Sequence, residues 1–151
     1  MSRLLLDSGP FGLITQPRIS PEVMAINRWM VRCLRAGHSI LVPAVHYEVR
    51  RELLRARKVS GLARLDAFVQ ADPSRYLHLT DAALRLAAEL WARTRQEGRP
   101  TASASDLDVD VILAAQALSV NAGGEVVVVT TNPRHLRPFV DARPWSEIEP
   151  G

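Results

Sequence analysis

Three short apolar runs constrain the fold more than anything else in this chain: Leu4-Leu5-Leu6, Ile40-Leu41-Val42 and Val126-Val127-Val128-Val129. None alternates apolar with polar residues, the signature of strands covered on both faces. Segments of helical periodicity separate them, and strands alternating with helices predict a parallel sheet inside a three-layer α/β/α sandwich. In such sheets ligands gather at the carboxyl ends of the strands, so the residues after each run are where chemistry is expected.

The intervening segments carry their own punctuation. Leu4-Leu5-Leu6 ends in a predicted turn at Asp7-Ser8-Gly9-Pro10. Ser20-Pro21-Glu22 predicts an N-cap, a proline in the first turn and an acid on the positive end of the dipole. Val23, Ile26, Met30 and Cys33 follow at helical spacing, with Gly37 as the stop. A helix of about four turns is expected from Ala44 to Lys58, with Val45, Val49 and Leu53 inward. Ser60-Gly61 then breaks the chain before a helix carrying Leu62, Leu65, Phe68 and Val69. Tyr76-Leu77-His78-Leu79 reads as a weak strand, and Thr80-Asp81 caps a long helix carrying Leu84, Ala87, Leu90, Trp91 and Thr94. Thr101 to Ser105 reads as polar loop, followed by a helix from Asp106 to about Asn121. The tail from Leu136 to Glu149 is punctuated by proline and offers a short edge strand near Trp145.

With 151 residues, 47% of them hydrophobic, the chain is expected to form one domain spanning residues 1–151, with a core that needs no staples. Net charge of only +3 with that apolar content excludes intrinsic disorder. No run approaches the roughly 18 apolar residues of a membrane helix, and MSRLLLDSGP does not read as a signal peptide; the expectation is a soluble, cytoplasmic protein without a membrane partner. Cys33 is the sole cysteine, which excludes a disulfide framework or a cysteine zinc site, and its place in an apolar stripe predicts packing. Lys58 is the only lysine among 19 basic residues. An arginine-rich surface permits a polyanionic partner without demanding one.

The strand-end rule sorts the acids. Asp7 closes the first strand, Glu48 lies one helical turn past the second, and Asp110 lies in the helix before the valine run, which Thr130-Thr131-Asn132 closes. Three carboxylates at one edge offer oxygen-only ligands to a hard cation such as Mg²⁺ or Mn²⁺, which can polarise a phosphate and activate water. Each residue also has an ordinary explanation. Asp7 can form an Asx-turn, Glu48 can pair with Arg51 across one helical turn, and Thr130 and Asn132 can simply shape a turn. In Ser105-Asp106-Leu107-Asp108-Val109-Asp110, Ser105 and Asp108 fit a capping box and Asp106 suits the dipole. Asp110 is left over among apolar neighbours, where an unpaired charge is costly, and Asp106 sits four residues before it on the same face. The histidines show no metal-binding spacing, although His46 lies two residues before Glu48, and no glycine-rich phosphate loop is present. Arg50, Arg51, Arg55, Arg57 and Lys58 cluster near Glu48, with Arg134 and Arg137 beside Asn132. They are either a phosphate-backbone surface or a solvated face.

This order of features resembles the PIN domain, and within it the VapC-like toxin ribonucleases. The likeness is carried by Leu4-Leu5-Leu6-Asp7-Ser8-Gly9-Pro10, by Val42-Pro43 leading to Glu48-Val49-Arg50-Arg51-Glu52-Leu53-Leu54, by Asp110-Val111-Ile112-Leu113-Ala114-Ala115-Gln116-Ala117, and by Val128-Val129-Thr130-Thr131-Asn132. It implies a central parallel sheet of four to five strands and an acidic pocket for one or two Mg²⁺ or Mn²⁺ ions. Asp7, Glu48 and Asp110 would be the catalytic metal ligands, with Asp106, Asp108, Thr130 and Asn132 as wall or accessory residues. Arg50, Arg51 and Arg134 would contact the RNA backbone. The implied reaction is metal-assisted hydrolysis of an RNA phosphodiester, leaving a 3′-hydroxyl and a 5′-phosphate. The implied partners are an RNA substrate, a cognate antitoxin protein and a second copy in a homodimer. One departure stands out. Many such nucleases carry a fourth acid three residues after the asparagine of the Thr-x-Asn turn, where this chain has His135. Its loss implies a weaker second metal site unless Asp106 or Asp108 compensates. It also keeps open a catalytically weak module that binds RNA or a protein partner. A phosphatase or phosphotransfer receiver is disfavoured, because no lysine stands at a strand end.

Overall fold

The computed structural model describes residues 1–98, 104–120 and 123–151. Four strands form one parallel sheet: β1 (Arg3–Leu6), β2 (Ser39–Leu41), β3 (Val126–Val129) and β4 (Ala142–Arg143), in the order β2-β1-β3-β4. β1 and β3 pair in a register that sets Leu6 beside Val129, so Asp7 and Thr130 leave the sheet side by side.

Strand residues alternate between two cores, as the pleat requires. On one face Leu4, Leu6, Ile40, Val127 and Val129 pack with Phe11 and Ile14 of α1 (Ser8–Ile14), with Ile26, Trp29, Met30 and Cys33 of α2 (Pro21–Arg35), and with Leu65 of α4 (Val59–Ala71). Cys33 is fully buried there and burial pushes its thiol up to about 11, as packing requires. On the other face Leu5, Leu41, Val128 and Ala142 meet Leu113 and Ala117 of α6 (Ala104–Ser119) and Leu136 of α7 (Pro133–Leu136). The outer side of α6 packs on Ala83, Ala87 and Leu90 of α5 (Asp81–Gln96). α6 is apolar around most of its circumference because it is sandwiched between sheet and helix. The result is the expected sandwich, with helices on both faces of a parallel sheet. Among the described residues no helix is long and apolar enough to cross a membrane.

Several expectations need correction. Asp7-Ser8-Gly9-Pro10 is no turn: Asp7 is the N-cap of α1, and Pro10 sits in its first turn, where a missing amide costs nothing. The helix expected from Ala44 to Lys58 is the shorter α3 (His46–Arg55). It ends because Arg57 adopts a left-handed conformation, with φ of 55°. Ser60 and Gly61 do not break the chain; they lie inside α4. A Cβ on Gly61 would stand 2.8 Å from Leu53 Cδ2, so glycine permits the close α3–α4 approach. Tyr76 to Leu79 forms no strand, only one parallel bridge from Tyr76 to Val42. Strand pairing stops there because the Leu77 carbonyl accepts from Gln116 Nε2 at 3.1 Å. Leu84 is 45% exposed, and the inward face of α5 begins at Ala83. The short edge strand expected near Trp145 is present as Ala142–Arg143, and Trp145 itself lies in a 3₁₀ turn. α6 starts at Ala104, earlier than expected, and ends at Ser119. The loop expected at Thr101 to Ser105 and the capping side chain of Ser105 fall largely or wholly outside the described residues.

Candidate active site

Asp7 is placed by a hydrogen-bond network at the ends of β1 and β3. Its amide donates to the Val129 carbonyl at 2.9 Å, stitching it to the end of β3. Its Oδ1 accepts from the Ser8 amide at 2.7 Å and its Oδ2 from the Thr130 hydroxyl at 2.8 Å. Thr130 Oγ1 in turn accepts from the Asn132 amide at 3.0 Å, and Thr130 is 1% exposed. Thr130 thus stands behind the carboxylate and orients it, while its neighbour Thr131 faces the site. Gly9 brings α1 against this turn, since a Cβ there would lie 2.7 Å from Thr131 Oγ1.

Glu48 comes from the first turn of α3 and Asp110 from the second turn of α6. The loop that aims Glu48 is fixed by Gln116, whose Oε1 accepts from the Ala44 amide at 2.7 Å while its Nε2 reaches Leu77. Gln116 is 4% exposed. Sequence reasoning gave it no role, and a buried amide one helical turn and a half beyond Asp110 was the available signal.

These carboxylates share one polar cavity of about 320 Å³ with Asp106, Thr131, Asn132 and His135. No arginine or lysine lines it among the described residues. Burial, then the charges of Asp7, Asp106 and Glu48, push the Asp110 carboxyl from the usual 3.8 up to about 7. Burial also raises Glu48; the Ser8 hydroxyl opposes that, Asp7 and Asp106 reinforce it, and Arg51 opposes it from 3.7 Å away. Like charges crowded into a half-buried pocket favour protonation or a cation.

The donor chemistry is that of a hard divalent cation, with carboxylate oxygens predominating. Among the described residues no three or more His, Cys, Asp or Glu side chains are placed so that together they could hold a metal ion. That arrangement fits Mg²⁺ or Mn²⁺ of the kind held by one or two carboxylates and completed by water and substrate phosphate.

The other candidates divide. Asp106 lines the cavity, whereas Asp108 is exposed outside it. Asn132 lines it directly and Thr130 acts from behind. His135, at the position of the missing fourth acid, does line it: Nδ1 is 3.9 Å from Asp110 Oδ2 and 3.3 Å from the side-chain Nδ2 of Asn132. His46 is elsewhere, edge-on to Tyr76. Arg50 is turned away and paired with Asp66 of α4. Arg51 stacks over Tyr47 and approaches Glu48. Arg134 is exposed on α7 and does not line the cavity.

No family model matches the chain, and no curated protein does. Solved structures do. The fold is similar to the crystal structure of VapBC2 from Rickettsia felis bound to a DNA fragment from their promoter, at 17% identity and a TM-score of 0.68, over 95% of this chain and 98% of that one. FitAcB from Neisseria gonorrhoeae is similar at 14% identity and a TM-score of 0.67, over 96% and 99%. VapBC-1 from nontypeable Haemophilus influenzae is similar at 15% identity and a TM-score of 0.58, over 97% and 100%. At these identities the likeness is one of fold, and it extends over nearly the whole chain.

Proposed function

We propose that this chain is a metal-dependent endoribonuclease of the PIN type, the toxin of a toxin–antitoxin pair acting in the cytoplasm. Its partners in this reading are an antitoxin protein that covers the acidic cavity and a second copy of the chain. The observation that carries the proposal is the convergence of Asp7, Glu48, Asp106 and Asp110 on one cavity, at the carboxyl ends of β1 and β3, with no arginine or lysine lining it among the described residues. Such a site repels a bare polyanion and admits it with a divalent cation.

Asp7, Glu48 and Asp110 hold Mg²⁺ or Mn²⁺ in this reading, directly or through water, with Asp106 in reach. The ion supplies Lewis-acid polarisation of a phosphate and lowers the pKa of a coordinated water. The chain's own residues do the rest. Ser8 and Thr130 fix both oxygens of Asp7, so its carboxylate needs no reorganisation when positive charge arrives. Asp110, with its carboxyl near 7, retains its proton on part of the molecules at neutral pH and releases it as a cation enters. Asn132 and His135 line the same cavity and would be available to contact a phosphate or its leaving oxygen.

A second reading rests on His135. An imidazole in place of a carboxylate, 3.9 Å from Asp110, lowers the negative charge available to a second ion and suits a weak nuclease or an RNA-binding module. Cleavage of single-stranded RNA with Mn²⁺ or Mg²⁺ decides between them. Asp7→Asn and Asp110→Asn should each cut the rate by about 100-fold or more, relieve any growth arrest and leave the protein folded. Undiminished cleavage in both variants would overturn the nuclease assignment. Salt-sensitive RNA binding without cleavage by the wild type would establish the second reading.

A further inference from the structure

The acidic cavity is one end of a longer groove. It shares Ser8, Gly9 and Glu48 with a second cavity of about 470 Å³. That cavity shares Gln16, Pro17 and Leu53 with a third, of about 950 Å³. The groove therefore runs along α3 from Glu48 to beyond its carboxyl end, about 14 Å at the helical rise. Its charge reverses along the way. The third cavity is lined by Arg18, Arg55, Arg57 and Lys58 against a single acid, Glu52, and that acid is paired with Arg55. Arg18, Arg57 and Lys58 have no hydrogen-bond or ion-pair partner for their side chains among the described residues.

Arg57 adds an independent observation. It is the only non-glycine with a positive φ among the described residues, at 55°. It closes α3 in a turn where the Arg57 amide donates to the Leu54 carbonyl and the Lys58 amide to the Leu53 carbonyl. Glycine or asparagine takes that conformation with little strain, and a long side chain does not. The chain keeps a guanidinium where its own fold favours glycine, at an exposed residue that lines the groove.

We propose that this groove is the track for the backbone of a single-stranded RNA, with Arg18, Arg57 and Lys58 holding phosphates on one side of the scissile bond. The proposal rests on the nuclease reading for its acidic end and assigns the basic end that the reading lacks. Guanidinium forks suit phosphate oxygens. The floor of Pro17, Leu53 and Val59 carries no aromatic ring on which to stack bases, so recognition is of backbone charge and carries no base code. Of the residues first expected to hold the backbone, Arg51 lines the middle cavity of the groove, whereas Arg50 is committed to Asp66 and Arg134 lies outside it.

Fluorescence anisotropy of a labelled oligouridylate, with EDTA present to prevent cleavage, tests this between about 50 and 200 mM salt. Arg57→Gly should weaken binding about three- to tenfold and lower the slope of log affinity against log salt by about 0.7. The same change should leave the melting temperature equal or higher, because glycine fits the left-handed turn. Arg18→Ser and Lys58→Ser should each lower the slope similarly. Unchanged affinity and slope in all three variants would overturn the proposal and leave the groove to a protein segment. Lower affinity without any metal-dependent cleavage by the wild type would uphold the track and reject the nuclease. Cleavage by the wild type with all three variants binding normally would do the reverse.

Discussion

Carboxylates gather at two places on this sheet and meet opposite surroundings. At the exposed edge, Arg143 of β4 reaches both Asp141 and Glu125, so the two acids share one guanidinium. In the cavity at the strand ends, Asp7, Glu48, Asp106 and Asp110 share a space lined by no arginine or lysine among the described residues, while Arg51 approaches Glu48. The same residue types do different work. The first cluster sets a guanidinium against its acids, whereas in the second, burial and then mutual repulsion lift Asp110 to about 7. A fold retains such repulsion where a cation offsets it.

The largest effect that would sharpen the contrast is on stability. The unfolded chain releases the Asp110 proton near 3.8 and the folded chain near 7. Between those values the folded state holds more protons, so stability in the absence of metal falls as pH rises and levels off above about 7. Glu48, also raised, contributes in the same direction. Asp110→Asn should remove most of that slope and stabilise the metal-free protein near pH 8 by on the order of 3 kcal/mol, read by urea unfolding near pH 5 and pH 8. An unchanged slope would mean the cavity is not repulsive.

A smaller effect is expected from restoring the fourth acid. His135→Asp adds a carboxylate beside Asp110 and should raise Mn²⁺ affinity about tenfold or more by calorimetry, while destabilising the metal-free protein above pH 7. Equal affinity in the variant would show that residue 135 does not touch the ion. The smallest effect belongs to the paired cluster. Arg143→Ala should cost within about 1 kcal/mol and leave RNA cleavage unchanged; a loss of cleavage would erase the distinction between the two clusters.

What the sequence made legible follows from how local each signal is. The runs at Leu4 and Val126 and the caps at Ser20 and Thr80 are self-contained, and each appears in the fold as read. The order of Asp7, Glu48 and Asp110 was legible because strand ends in a parallel sheet converge. Ser8-Gly9-Pro10 misled because glycine and proline mark a turn locally, whereas Asp7 as cap and Phe11 in the core make it a helix. Tyr76 to Leu79 misled because a distant side chain, Gln116, takes the Leu77 carbonyl that a strand would have used. The arginines were legible as a cluster and not as a direction: Arg50 turns to Asp66 on a helix that packs only in three dimensions, and the left-handed turn at Arg57 has no glycine to announce it.

The central claim, that the acidic cavity binds a divalent cation through Asp110, is tested most directly by titrating Mn²⁺ into the wild type and into Asp110→Asn by calorimetry at pH 7. The account predicts wild-type binding accompanied by proton release, seen as a heat that changes with the ionisation enthalpy of the buffer, and at least about tenfold weaker binding by the variant. No binding by the wild type at millimolar Mn²⁺, or equal affinity in the two proteins, would contradict it.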